Sequence, residues 1–84
     1  MSEPAEVGAP DEVLDCRGQR CPLPVIALAR RLPQLPPGAV LRVLADDPAA
    51  AVDIPAWCRM RGHEFVGRPS SIAYDVRRVA PTDR

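Results

Sequence analysis

A two-layer α+β sandwich of order βαβαββ, with a mixed four-stranded sheet and two helices on one face, is the fold class that the sequence predicts. Three observations carry it. Two segments open helices with the same grammar, a capping residue followed by proline, at Cys21-Pro22-Leu23-Pro24 and at Asp46-Asp47-Pro48. Short aliphatic and β-branched runs of strand length alternate with them. The chain has 84 residues, enough for one domain with a compact core, because a chain this short buries only about 60–65% of its unfolded surface.

Residues 1–11 carry Glu3, Pro4, Glu6, Gly8 and Pro10 with little hydrophobic periodicity and read as a disordered lead-in, residues 12–79 as the folded domain, and residues 80–84 as a tail. Val13-Leu14-Asp15-Cys16 is the first strand, and Arg17-Gly18-Gln19 is the turn that delivers the chain to Cys21. Proline lacks an amide proton and clashes inside a helix, but in the first turn both defects vanish. Cys21 is therefore expected as the N-cap, with Pro22 at the first helical position. Val25, Leu28, Ala29 and Leu32 form an i, i+3, i+4, i+7 stripe, Arg30 and Arg31 suit the negative end of the dipole, and Pro33, Pro36 and Pro37 stop the helix.

Gly38 turns the chain into Val40 to Ala45, a buried strand. Asp47 is the expected cap of the second helix, which Pro55 should kink or restart near Asp53. Ile54, Trp57, Cys58 and Arg61 share one face, and Gly62 is placed to terminate. His63 to Val66 reads as the third strand, Gly67 to Ser71 as a connection, and Ile72 to Val79 as the fourth strand. A β-α-β unit within one sheet requires a parallel, right-handed crossover, while the short last link fits an antiparallel hairpin.

Eleven arginines, with no lysine, balance eleven acidic residues, so the chain has no long-range attraction for nucleic acid and strong direct binding to it is not expected. Three aromatic residues leave little for base stacking. Three cysteines, an odd number, do not form the disulfide framework of a small secreted domain, and no apolar run suits a signal peptide or a membrane span. A reducing cytoplasm is the expected compartment. The spacing of Cys16 and Cys21 fits neither a Cys-x-x-Cys dithiol nor paired zinc ligands, and no metal or cofactor is expected.

Cys21 is the candidate nucleophile. At the entrance of a helix, free N–H groups and the positive dipole end favour thiolate, and Arg17, Arg20, Arg30 and Arg31 would supply a basic face around it, so its pKa is expected to fall. Gly18, Pro22 and Pro24 shape the loop and cap. Arg17 and Arg20 could orient a sulfur anion or meet an acidic partner, although solvated arginines are the default. Asp46, Asp47 and Asp53 read as helix caps before proton handlers. Cys16 reads as strand packing before a partner to Cys21, Cys58 as core, and His63 as a strand-start residue before a general base.

Leu14-Asp15, Gly18 and Cys21-Pro22-Leu23-Pro24, followed by Pro37-Gly38, Ala45-Asp46-Asp47-Pro48, Asp53-Ile54-Pro55 and Cys58, together resemble the TusA/SirA-like sulfur carrier proteins over about residues 12–79. The resemblance implies the βαβαββ sandwich seen also in the C-terminal domain of translation initiation factor three. It further implies that Cys21 accepts a sulfane sulfur as a persulfide from a cysteine desulfurase or rhodanese-type donor and relays it to a downstream sulfur-acceptor protein. The family's end uses include tRNA 2-thiouridine synthesis, molybdenum cofactor supply and sulfur oxidation. Two other readings stand beside this one: a non-catalytic binding or regulatory module, and a redox switch through Cys16 and Cys21.

Overall fold

The computed structural model describes residues 9–80. The elements are β1 (Glu12–Asp15), α1 (Leu23–Arg31), a 3₁₀ turn (Leu32–Gln34), β2 (Val40–Leu44), α2 (Ala50–Arg61), β3 (Glu64–Ser70) and β4 (Ala73–Arg77). The sheet order is β1-β2-β4-β3, with β1 parallel to β2 and both other pairings antiparallel. This is the mixed α+β sheet expected. Most of residues 1–11 and 80–84, read as tails, lie outside the described residues, while Asp11 is tied to β2: its N–H donates to the Val40 carbonyl and its carboxylate accepts the Val40 N–H.

Alternation across the central strands builds the core. Leu41 and Val43 of β2 stand opposite Val76 and Tyr74 of β4, and all four are buried. They meet Leu28 and Leu32 from the first helical segment and Ile54, Trp57 and Cys58 from α2. Each fully buried aliphatic side chain of this kind contributes about 1.5–3 kcal/mol. The intervening residues face away from the helices, and there Arg42 reaches across to the carboxylate of Asp75 with two hydrogen bonds of 2.8 and 3.0 Å.

Helix entry differs from expectation in both cases. Pro22, not Cys21, is the N-cap of α1, Leu23 is its first residue, and Pro24 follows. Ala49, not Asp47, caps α2, because Asp47 is one turn earlier, where its carbonyl accepts the Ala50 N–H and its side chain accepts the Ala49 N–H. Pro55 neither ends nor restarts α2, which runs unbroken from Ala50 to Arg61. The missing donor toward Ala51 is outweighed by burial of Ile54, Trp57 and Cys58 on the same helix. Gly62 closes it in the left-handed region at φ +79°, as expected, and its N–H and that of His63 both donate to the Cys58 carbonyl.

Sequence spacing reads Gly67 to Ser71 as a loop, but β3 continues to Ser70 and only Ser71-Ile72 turns. The register against β4 shifts between Phe65 and Gly67 and again between Gly67 and Ser70. β3 is an edge strand, and an edge tolerates both the bulges and Pro69, which has no N–H to give a further neighbour. Ile72 consequently lies in the turn, where its carbonyl accepts the Ala45 N–H and lengthens the ladder beyond β2.

Candidate functional site at the carboxyl ends of the parallel strands

β1 and β2 run parallel, so the loops leaving them, residues 16–22 and 45–49, emerge side by side at the same end of the sheet. Crevices at the carboxyl ends of parallel strands are the usual location of sites in α/β sheets. Three aspartates stitch the loops together here. The Gly18 N–H donates to Asp46 Oδ1 at 3.0 Å, the Cys21 N–H to Asp47 Oδ2 at 2.9 Å, and the Cys21 thiol to Asp53 Oδ2 at 2.6 Å. Gly18 sits at φ +84° with open space where a side chain would begin, so its role is conformational: it lets the loop aim an N–H at Asp46.

Cys21 is partly exposed, whereas Cys16 and Cys58 are each 1% exposed within the core, and all three are free thiols. Cys16 continues the ladder through its N–H to the Leu44 carbonyl, in keeping with packing as its role. Burial raises the pKa of both core thiols, that of Cys58 to about 11.

The electrostatics at Cys21 reverse the expectation from sequence. Its pKa is pushed up to about 11, first by the hydrogen bond to Asp53, then by burial and by the charges of Asp53 and Asp47. Removing the proton would set a thiolate against carboxylates. The helix entrance compensates little, because Pro22 and Pro24 have no N–H and the Leu23 N–H is spent on the Arg20 carbonyl.

The basic face expected around the thiol does not form. Arg17 folds back onto Asp15 with contacts of 2.7 and 2.9 Å and holds that carboxyl near a pKa of about 2. Arg31 is paired with Glu12, at the amino end of β1. Arg20 acts on the site through its charge, which helps hold Asp47 below the usual carboxylate range, behind the Ala49 and Cys21 N–H groups. Asp53, read from sequence as a cap, is the residue on the thiol. Its position in α2, one turn past a Pro-bearing start, is the only local signal of that placement.

His63 stands apart from this site. Its ring stacks on Trp57 at 5.4 Å, and its Nδ1 accepts the Val79 N–H. Among the described residues, no group of three or more His, Cys, Asp or Glu side chains is arranged to hold a metal ion, and no helix is long and apolar enough to cross a membrane.

Comparison with known proteins gives a consistent result. The family model described as Sulfurtransferase TusA matches residues 12–72, which include Cys21 and the three aspartates. A protein from Pseudomonas syringae pv. tomato named Sulfur carrier protein TusA is 42% identical over 81 residues, covering 93% of this chain and 96% of its own length. One of the same name from Pseudomonas savastanoi pv. phaseolicola is 46% identical over 66 residues, covering 79% of each.

Proposed function

The chain belongs to the sulfurtransferase TusA family, and we propose that it relays sulfur by carrying it as a persulfide on Cys21. The observation that supports this most directly is accessibility: of three thiols, Cys21 alone is not buried. It precedes α1, whose first turn carries Leu23 and Ile26, 50% and 42% exposed, as apolar surface for a docking protein.

The transfer needs no cofactor. The Cys21 thiolate attacks the terminal sulfur of a donor persulfide, a new S–S bond forms as the donor's S–S bond breaks, and the donor leaves as a thiolate that takes up the proton Cys21 has lost. Oxidation state balances, since the sulfane sulfur passes unchanged from one thiol to another. In the free chain Asp53 keeps the proton on sulfur. Activation therefore calls for a donor that brings positive charge to Asp53 and Asp47 on docking, which would lower the thiol pKa where the donor sulfur waits. Once loaded, the more acidic terminal sulfur ionises beside the same carboxylates, and that repulsion favours passing the sulfur on.

A cysteine desulfurase or rhodanese-type protein fits the donor role, and a downstream protein the acceptor role, in a reducing cytoplasm. The carboxylates of Asp46, Asp47 and Asp53 would repel a phosphate backbone, which favours a protein acceptor over direct nucleic-acid binding. The raised thiol pKa also supports one rival, a binding module in which Cys21 is incidental.

Loading separates the two. The reduced protein is incubated with a cysteine desulfurase and cysteine, and its intact mass is followed by peptide mapping. The expected result is a gain of about 32 Da, one sulfur, on the Cys21 peptide, reversed by dithiothreitol and absent in Cys21→Ser. Equal loading of Cys21→Ser, or a Cys21 that no donor loads, would overturn the proposal.

A further inference from the structure

Zero net charge conceals a polar molecule. Asp46, Asp47 and Asp53 gather at the thiol end, while the far end of α2 carries the opposite sign. Asp53 and Arg61 stand eight positions apart on α2, about 12 Å at 1.5 Å per residue. There a cavity of about 350 Å³ opens between the end of α2 and the segment that follows β4, lined by Pro33, Arg61, Gly62, His63, Arg78, Val79 and Ala80. A second hollow shares Pro33, Arg61 and His63 with it and extends to Trp57 and Ala29. The volume is within the range of small-molecule sites.

Among the described residues, no carboxylate compensates the charges in this cavity. Arg17, Arg31, Arg42 and Arg77 each pair with a carboxylate. Arg61 and Arg78 pair with none among the described residues, and no lining residue is acidic. Arg78 is held in place by its Nη1 donating to the Leu35 carbonyl at 2.9 Å, while its Nε is buried without a partner. The Val79 N–H occupies His63 Nδ1, so the neutral ring carries its proton on Nε2 as a donor. The carbonyl end of α2 does not oppose an anion strongly, since the Cys58 carbonyl already accepts the Gly62 and His63 N–H groups.

We propose that this cavity binds a small phosphomonoester, its dianion met by the Arg61 and Arg78 guanidiniums and the His63 Nε2–H, and its organic body lying along Pro33 and the Trp57–His63 stack. Two fixed positive charges and a neutral donor match a dianion better than a monocarboxylate. The site lies at the opposite end of α2 from the thiol and does not depend on the sulfur-carrier reading.

Trp57 is the chain's single tryptophan and reports on the stack directly. The test is titration of the full chain with phenyl phosphate at constant ionic strength, read by Trp57 fluorescence, with benzoate as the monoanionic comparison. The expected result is a saturable change, weaker for benzoate, weakened about tenfold or more by Arg61→Gln and unchanged in Cys21→Ser. Arg61 is exposed, so this variant leaves the core intact. No saturable change, equal affinity for benzoate, or full affinity in Arg61→Gln would each overturn the assignment.

Discussion

Cys21 and Asp53, 32 residues apart in sequence, are joined by a thiol-to-carboxylate hydrogen bond of 2.6 Å that ties the entrance of α1 to the first turn of α2. The bond makes the reactivity of the thiol a property of two helices. Asp53→Asn removes the nearby charge, and the Cys21 pKa should fall from about 11 toward its ordinary value near 9. Each pH unit of that fall would raise the thiolate population about tenfold at pH 8, but intrinsic nucleophilicity drops with pKa, and burial and Asp47 still act on the thiol, which leaves a net gain of about threefold to tenfold in alkylation rate. The check is the rate of iodoacetamide labelling of Cys21 against pH in both proteins; superimposed profiles would show that Asp53 does not control the thiol.

Stability should fall in alkali. Folding raises the pKa of Cys21 and of Cys58 to about 11 from an ordinary value of 9.0, so the folded state holds these protons more tightly than the unfolded chain. The stability they contribute is whole below about pH 9 and is lost as pH rises toward about 11. Urea midpoints across that window should decline under reducing conditions. In Cys58→Ala the decline is shallower, on a baseline lower by about 1–2 kcal/mol from lost packing.

The Gly18 N–H donates to both carboxylate oxygens of Asp46, at 3.0 and 3.3 Å, as one bifurcated hydrogen bond. Gly18→Ala should cost about 1–2 kcal/mol although the added methyl meets nothing, because the loop relaxes out of the left-handed conformation that aims the N–H at Asp46. Asp46→Ala should cost about 1 kcal/mol. The double variant should lose less than the sum, because either change breaks the same bond, and urea unfolding of the four proteins measures the coupling.

On the face away from the helices, Asp75 is 4% exposed and bridged twice by Arg42. Asp75→Ala removes both hydrogen bonds and the countercharge that accompanies them from the centre of the sheet, and should cost about 2–3 kcal/mol in urea unfolding. Arg42→Met with Asp75→Leu should recover most of that loss, since an apolar pair avoids the desolvation of both charges. If the double variant is no more stable than Asp75→Ala, the bridge contributes more than it costs to bury.

Most of the fold was legible because its signals are local. The stripe at Val25, Leu28, Ala29 and Leu32, the alternation in Val40 to Leu44 and the stop at Gly62 each depend on residues within a turn or two of one another. Local rules erred where tertiary contacts outweighed them. Pro55 was accepted inside α2 because the helix's apolar face is buried, and Gly67 to Ser70 stayed in β3 because an edge strand can bulge.

From its sequence alone, this chain had determined its element order, its mixed sheet and its helix-entrance cysteine, through periodicity and the rigid φ of proline. The tertiary structure decided the chemical setting of that cysteine. Arg17 and Arg31, expected around Cys21, turn to Asp15 and Glu12, and aspartates from 25 to 32 residues beyond it close on its loop and its thiol instead. Electrostatic interactions follow distance in space, and only the parallel pairing of β1 with β2 brings those two loops together.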